Sequence, residues 1–221
     1  MSLGKTVRNI AGPKVFRVLG SIYRSVFVDL HKFAQSVADH IPHGAHVLDI
    51  GGGDGEPLNH LLKLRPDITV TMIDISGSLG RSLEPALMSR VAVRPSTSIV
   101  QYVASGGKRP DCVLLSDIVH HIPTDARDSF FSDLERLVGQ TSAIVVIKDI
   151  EPGYLRSRLS LLADRYISGD KNAALVSARD VEALVERHFD RVTTTQSRLM
   201  DLDRPNYASV FHVNPQSDEH M

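Results

Sequence analysis

The chain has 221 residues, with 25 lysines and arginines against 26 aspartates and glutamates, so its formal net charge is −1. A charge this close to neutral gives no overall field that attracts nucleic acid, and we expect no nucleic-acid partner. A single cysteine, Cys112, excludes a disulfide framework and a cysteine-rich metal site. No apolar run approaches the roughly 20 residues that span a bilayer, so we expect a cytoplasmic protein.

The N-terminal segment combines basic residues with an amphipathic pattern. Five cations precede the first acid of the chain, and they are Lys5, Arg8, Lys14, Arg17 and Arg24. Apolar residues recur at helical spacing from Val15 to Ile41, which predicts one long helix or two shorter ones. We favour a solvated basic face over contact with anionic lipid. Residues 1–41 are therefore predicted to form an N-terminal helical cap.

Strand-like apolar runs alternate with helical patterns from Ala45 onward. Seven strands are predicted, at Ala45–Ile50, Ile68–Ile73, Val91–Val93, Cys112–Ser116, Ser142–Ile147, Val192–Thr195 and Ala208–Val213. Helices are predicted between them, at Glu56–Leu64, Leu79–Ser89, Ser98–Ala104, after Thr124, at Tyr154–Ile167 and at Val181–His188. The alternation predicts an α/β fold, a Rossmann-like, mostly parallel seven-stranded sheet with helices on both faces. This domain would cover residues 42–213, followed by a flexible tail at 214–221.

The first predicted strand–helix turn is rich in glycine, with the sequence DIGGGDG from Asp49 to Gly55. In an open parallel sheet, ligands bind beyond the carboxyl ends of the strands, and the first turn is the usual place. Glycine leaves no Cβ between the backbone and such a ligand. A dinucleotide fingerprint in this register needs a third glycine where Glu56 stands, and a P-loop needs a lysine that is absent. A nucleotide-dependent oxidoreductase is therefore disfavoured.

Acidic residues around the turn favour a ligand that is cationic and lacks phosphate. Asp54 and Glu56 are poor neighbours for a pyrophosphate and better neighbours for a positive centre. Asp74 ends the second predicted strand, 19 residues beyond Gly55, which is about the spacing at which an acid reaches ribose hydroxyls. A cofactor with a ribose, a positive charge and no phosphate fits these features, and S-adenosylmethionine is the obvious candidate.

The chain resembles the small-molecule branch of the class I S-adenosylmethionine-dependent methyltransferases. The resemblance rests on VLDIGGGDG from Val47, on TMIDIS from Thr71, on LLSDIVHHIP from Leu114, and on the order of elements up to Val213. It implies a cofactor site, and the residues that match the family's site are Asp49, Gly51, Gly52, Gly53, Asp74, Ile75, Ser96 and Asp117.

The resemblance also implies a role for most of these residues. Asp49 and Gly51 would lie near the methionine amino group, Asp74 would bind both ribose hydroxyls, and Ile75 would pack on adenine. Asp117 would lie beside the cofactor at the end of the fourth strand. One departure concerns adenine, since the family often has an acid after the third strand and here residues 91–98 contain none. A backbone carbonyl, Pro95 or Ser96 would have to take its place.

Two histidines, His120 and His121, follow the fourth predicted strand, where the resembling family places its methyl acceptor. Methyl transfer from a sulfonium depends largely on positioning, but a hydroxyl acceptor also needs a base, and the pKa of histidine suits that role. We predict that His120 or His121 is the base; alternatively, one orients the loop and the other packs on the sheet. No H-E-x-x-H or similar spacing is present. We expect no metal, because we do not expect distant acids to converge on the histidines.

About forty residues separate the fifth and sixth predicted strands. In the resembling family, this segment and the N-terminal helices form a lid over the acceptor. Its leucines and arginines suit a partly apolar or anionic small molecule. The resemblance therefore implies methylation of a small, partly apolar metabolite, most readily on oxygen, with S-adenosylhomocysteine as the product.

Other functions stay open at this point. The alternative acceptor atom is the carbon or nitrogen of a natural-product or lipid intermediate, and such an acceptor needs no histidine base. A non-catalytic cofactor-binding subunit is the alternative from another class, although the intact glycine turn and Asp74 disfavour it. The sequence predicts no oligomeric state.

Overall fold

A computed structural model of the protein describes residues 30–165, 170, 172–196 and 205–214. Within these residues, the α-helices are α1 Leu30–Ala38, α2 Glu56–Leu64, α3 Ile99–Ala104, α4 Arg127–Val138, α5 Leu155–Ala163 and α6 Ala178–His188. The strands are β1 His46–Ile50, β2 Thr69–Asp74, β3 Val91–Pro95, β4 Cys112–Ser116, β5 Ala143–Ile150, β6 Val192–Gln196 and β7 Asn206–Val213. Short 3₁₀ helices form at Pro85–Arg90, Val119–His121 and Thr124–Ala126.

The seven strands form one sheet in the order β3-β2-β1-β4-β5-β7-β6. Strands β1 to β5 pair in parallel, and β7 lies antiparallel between β5 and β6. The predicted α/β fold with a mostly parallel seven-stranded sheet is confirmed. Strand order reverses between β1 and β4, so the carboxyl ends of these two neighbours flank the crevice where ligands bind in such sheets.

Helices cover both faces of the sheet. In β1, Leu48 and Ile50 belong to a core shared with α3, α4 and α6, whereas Val47 belongs to a second core with α1 and α2. All eight residues of β5 are buried. Burial on both faces explains why the strands read as near-continuous apolar runs rather than alternating ones.

The helix predicted at Leu79–Ser89 is wrong. Only a short 3₁₀ helix forms there, at Pro85–Arg90, and the preceding residues fold irregularly against the glycine turn. Gly80 adopts a φ of +69° and donates its N–H to the Gly53 carbonyl at 2.9 Å, while the Ser82 N–H bonds to the Asp54 carbonyl at 2.7 Å. These bonds hold the glycine turn, and Pro85 disfavours a helical conformation of the residue before it.

The predicted cap at residues 1–41 is described only from Leu30, where α1 begins and packs on α2. Residues 1–29, which carry the five N-terminal cations, and residues 215–221 lie outside the described part of the chain. The domain boundaries and the cytoplasmic location therefore stay predictions. Among the described residues, no helix has the length and apolar character needed to cross a membrane.

Arg65 ties the end of α2 to the segment between α1 and β1. Its guanidinium donates to the carbonyls of Ala38 and Ile41 at 2.6 Å and of Pro42 at 2.8 Å. It also forms a two-point ion pair with Asp67, with distances of 2.8 and 2.7 Å. The carbonyls of Ala38 and Pro42 also accept backbone N–H groups at 3.3 Å. Arg65 therefore adds charge-assisted hydrogen bonds at the end of α1, where the last carbonyls have no partner within the helix.

We expect Arg65→Met to lower the free energy of unfolding by about 2–3 kcal/mol, because several charge-assisted hydrogen bonds are lost together. Urea unfolding followed by circular dichroism measures the change. Arg136→Met is the matched control, since Arg136 is exposed and, among the described residues, pairs only with Asp133 on the same helix. Its substitution should change the free energy of unfolding by less than about 0.5 kcal/mol. Equal midpoints for the two variants would contradict this role of Arg65.

Candidate active site

The candidate site lies beyond the carboxyl ends of four neighbouring strands, at the reversal of strand order. The glycine turn follows β1 and Asp74 ends β2. His120 and His121 lie in the 3₁₀ helix after β4, and Asp149 lies near the end of β5. The parallel arrangement thus brings the predicted cofactor residues and the predicted histidines to one edge of the sheet.

The glycine turn requires glycine for two different reasons. Gly51 and Gly53 adopt left-handed backbone angles, with φ of +72° and +54°. A Cβ at Gly51 would lie 2.6 Å from Ile118 Cδ1, and one at Gly52 would lie 2.2 Å from Asp49 Oδ2, so the protein itself fills both positions. A Cβ at Gly53 would meet no described atom nearer than the Gly51 carbonyl oxygen at 3.9 Å. Gly53 therefore presents bare backbone to the crevice.

Two carboxylates flank this turn. Asp49 is buried in β1, and its burial, together with the nearby charge of Asp74, raises the pKa of Asp49 to about 7. Asp74 accepts hydrogen bonds from the backbone N–H of Ser76 at 2.7 Å and of Gly53 at 3.3 Å. A buried carboxylate whose pKa is raised by a neighbouring negative charge marks a place where a cation would be stabilised.

The ends of β2 and β3 bring Ile75 and Ser96 to the same region. Ile75 is 83% exposed, which is unusual for a side chain of its size and leaves an apolar surface beside Asp74. Ser96 has a φ of +53°, and its N–H donates to the Ser76 carbonyl at 3.0 Å. The structure thus places both predicted residues around Asp74, and their contact with a cofactor stays a prediction.

Asp117, the predicted cofactor neighbour after β4, is held by a buried cation. Both of its carboxylate oxygens lie 2.5 Å from Lys148 Nζ, and Lys148 is only 2% exposed. The Asp117 N–H donates to the Lys148 carbonyl at 2.9 Å, and Asp117 adopts a φ of +56°. A buried lysine requires a partner of opposite charge, so the charge of this carboxylate is already compensated.

His120 forms a buried dyad with Asp149. Its ring Nδ1 lies 2.6 Å from Asp149 Oδ1, and its backbone N–H donates to Asp149 Oδ2 at 3.1 Å. The other ring nitrogen, Nε2, lies 3.6 Å from Asp164 Oδ2. Burial alone would lower the pKa of His120, but Asp149, Asp164 and Asp117 outweigh it and raise the pKa to about 10.

His121 has a different environment from its neighbour. Its ring is partly exposed, and its Nδ1 lies 2.7 Å from Asp170 Oδ2. The two imidazole rings lie with their centroids 4.0 Å apart and their planes tilted by 40°. Of the two predicted histidines, only His120 is oriented by a buried carboxylate, and His121 lies on its solvent side.

Sequence reasoning missed the groups that surround the histidines. The expectation that distant acids would not converge is wrong, because Asp149 from β5 and Asp164 from the end of α5 both approach His120. Asp149 carried a usable signal, since an acid at the carboxyl end of β5 must lie beside the loop after β4 in a parallel sheet. Asp164 follows the last residue of α5 and Asp170 lies farther along the chain, and their spacing from the histidines gives no such guide.

The family model described as a methyltransferase domain matches residues 23–189. The chain belongs to this family. Membership confirms, at the level of the family, the predictions of a methyltransferase and of S-adenosylmethionine as its cofactor.

The curated O-methyltransferase SfmM3 of Streptomyces lavendulae is 26% identical over 158 residues, which are 68% of this chain and 47% of SfmM3. The apo crystal structure of the methyltransferase SibL superposes with a TM-score of 0.69 at 19% identity, covering 94% of this chain and 61% of SibL. The crystal structure of the O-methyltransferase NcsB1 superposes with a TM-score of 0.61 at 16% identity, covering 91% of this chain and 57% of NcsB1. The chain thus spans about half the length of its curated relative, and the structural likeness establishes the fold.

The contrast between Gly53 and Gly44 gives a test of the glycine turn. Both have positive φ, but Gly44 lies before β1, away from the site, and a Cβ there meets nothing within 4 Å. Gly53→Ala and Gly44→Ala should each cost about 1–2 kcal/mol of stability through backbone strain. Only Gly53→Ala should weaken S-adenosylmethionine binding in calorimetry, by at least about tenfold, because its methyl group enters the crevice. Equal affinities would refute the placement of the cofactor on Gly53.

The raised pKa of Asp49 gives a second test. Below pH 7 a large fraction of Asp49 is protonated, and a cationic ligand favours its carboxylate, so binding at about pH 6 should release up to about one proton. Affinity for S-adenosylmethionine should rise with pH and level off above about pH 7. Calorimetry in two buffers of different ionisation enthalpy measures the release. The Asp49→Asn variant should release no proton on binding. An unchanged proton release in that variant would show that another group loses the proton.

Proposed function

We propose that this protein transfers the methyl group of S-adenosylmethionine to a hydroxyl oxygen of a small, partly apolar acceptor. The observation that carries the proposal is the buried His120–Asp149 dyad, which follows β4 on the same sheet edge as the glycine turn. The family supplies the donor, and the dyad supplies a base for the acceptor.

The crevice fits the proposed donor. Gly53 offers bare backbone, Asp49 and Asp74 favour a positive charge, and the exposed Ile75 offers an apolar surface for an adenine ring. Asp74 would accept from ribose hydroxyls in addition to the two backbone N–H groups that it already binds. When bound, the cofactor supplies a sulfonium-activated methyl group, which needs only an aligned nucleophile.

The dyad fits the activation of a hydroxyl. A neutral His120 that donates its Nδ1 proton to Asp149 has a lone pair on Nε2, where it accepts a proton from an acceptor hydroxyl. Asp149 fixes the ring and stabilises the imidazolium that forms. Asp164 lies 3.6 Å from Nε2 and contributes to the raised pKa of His120. An acceptor hydroxyl that takes the place of Asp164 would therefore lower this pKa, although Asp149 would still raise it.

Helix α5 supports an apolar acceptor. Its fully buried described side chains are small and polar, Ser157 and Ser160. Three of its four leucines, Leu155, Leu159 and Leu162, are 74%, 47% and 47% exposed, and the fourth is partly buried. This pattern is the reverse of an ordinary amphipathic helix. The helix leads directly to Asp164 beside His120, so an acceptor placed at the dyad would lie close to this end of α5.

The similar proteins also support methylation of a hydroxyl oxygen. SfmM3 is named as an O-methyltransferase, and NcsB1 was crystallised with S-adenosylmethionine and 2-hydroxy-5-methyl naphthoic acid, an aromatic hydroxy acid. We propose an acceptor of comparable chemistry, with an apolar ring and a hydroxyl group. Methylation at carbon or nitrogen would not need the dyad, and a non-catalytic subunit would need neither the dyad nor an acceptor.

Replacing each histidine separately tests the base. His120→Ala should lower kcat by about 10²–10⁴-fold, with the S-adenosylmethionine Kd unchanged, whereas His121→Ala should lower kcat by less than about tenfold. Transfer from radiolabelled donor to a panel of phenols and hydroxy-naphthoic acids measures kcat, and calorimetry measures Kd.

His120→Ala leaves the buried Asp149 carboxylate without its ring partner, which also threatens folding. Asp149→Asn tests the dyad without that risk, because the substitution keeps the shape of the side chain and removes the charge that stabilises the imidazolium. The Asp149→Asn protein should fold and bind the donor, with kcat reduced at least about tenfold. Full turnover in both His120→Ala and Asp149→Asn would exclude the dyad as the base.

A further inference from the structure

We propose that His120, His121 and Asp164 form a binding site for a divalent transition-metal ion such as Zn²⁺, and that this ion inhibits methyl transfer by occupying the nitrogen that the acceptor hydroxyl requires. The inhibition rests on the proposed function, whereas the metal site itself does not. Two imidazoles and one carboxylate are a frequent ligand set for Zn²⁺ in proteins.

The three side chains are close enough to share one ion. One ligand atom from each of them lies within 4.8 Å of the others. His120 Nε2 and Asp164 Oδ2 are 3.6 Å apart, which is longer than a good hydrogen bond. Two ligands of a tetrahedral zinc ion, each about 2.0–2.1 Å from the metal, lie about 3.4 Å apart. The observed separation therefore suits two ligands of one ion better than it suits a direct contact.

Both histidines are oriented as metal-binding histidines are. The Nδ1 of His120 lies 2.6 Å from an Asp149 oxygen, and the Nδ1 of His121 lies 2.7 Å from an Asp170 oxygen. A ring that donates its Nδ1 proton to a carboxylate carries its lone pair on Nε2, and metal-ligating histidines almost always have such a partner. Two adjacent rings with the same carboxylate arrangement are the independent feature that points to an ion.

The charges nearby select this cluster over its neighbour. Asp117, His120 and Asp149 also lie within ligand distance of one another, but the Lys148 ammonium lies 2.5 Å from both oxygens of Asp117. That cation occupies the place of a metal. Around the first cluster, Asp149 and Asp170 add negative charge, and the guanidinium of the adjacent Arg165 is directed to the Ala173 carbonyl at 2.9 Å.

Metal and acceptor would compete for the same lone pair. Nε2 of His120 cannot coordinate an ion and accept a proton from a hydroxyl at the same time. The glycine turn and Asp74 lie at the ends of β1 and β2 and contribute no ligand to the cluster. The ion should therefore compete with the acceptor and leave donor binding unchanged.

Titration with Co²⁺, whose visible absorption reports protein coordination, tests the site directly in the full chain. We expect one Co²⁺ per chain, with affinity reduced at least about tenfold in His121→Gln and in Asp164→Asn. His188→Gln is the matched control, because His188 also pairs with a carboxylate, Asp128 at 2.9 Å, but belongs to no such cluster among the described residues. It should bind Co²⁺ as the unaltered protein does.

The absence of Co²⁺ absorption, or equal titrations for the unaltered protein and His121→Gln, would overturn the metal site. Methyl transfer that persists in such a protein would leave the proposed function intact. Zn²⁺ should raise the apparent KM of the acceptor without changing the donor Kd in calorimetry, and inhibition by Zn²⁺ of the same strength in His121→Gln would overturn the competition. If the protein binds Co²⁺ but methylates no acceptor, the proposed function would be overturned and the proposed metal site would stand.

Discussion

The contact between His120 and Asp149 is the interaction on which the acceptor side of the site depends. Asp149 is fully buried, so its charge must be compensated inside the protein, and the ring of His120, its backbone N–H and the N–H of Ile150 do so. These bonds fix the loop after β4 against the end of β5. The position of His121, the next residue in that loop, follows from that anchor.

The site is divided by charge compensation. On the β4–β5 side, each carboxylate has a cation beside it, Lys148 for Asp117 and His120 for Asp149. On the β1–β2 side, Asp49 and Asp74 face each other, and the charge of Asp74 helps to raise the pKa of Asp49. A ligand with a positive centre therefore gains most on the β1–β2 side, and a neutral hydroxyl-bearing ligand is accommodated on the other. This division matches the chemistry of a sulfonium donor and an uncharged acceptor group.

The fold and half of the candidate site were predictable from the sequence. Strand runs buried on both faces, with glycine at the first turn, predict the sheet and place Gly53 and Asp74 together. The prediction of a helix at Leu79–Ser89 is wrong, because a tertiary hydrogen bond from Gly80 to the glycine turn overrides the local helical propensity there. Asp149 followed from strand adjacency, but no periodicity links Asp164 or Asp170 to the histidines. Those contacts depend on tertiary packing, which only the structure gives.

The reversed polarity of α5 has a consequence for its local stability. A helix that fully buries serines and leaves three of its leucines 47–74% exposed gains less from packing than a helix with a buried apolar face. Opening of this helix therefore costs much less free energy than opening of β5, whose residues are all buried. Amide hydrogens of α5 would exchange with solvent well before those of the sheet, and any molecule that covers the leucines would slow that exchange. A molecule that binds over these leucines would therefore also stabilise the end of α5, where Asp164 lies.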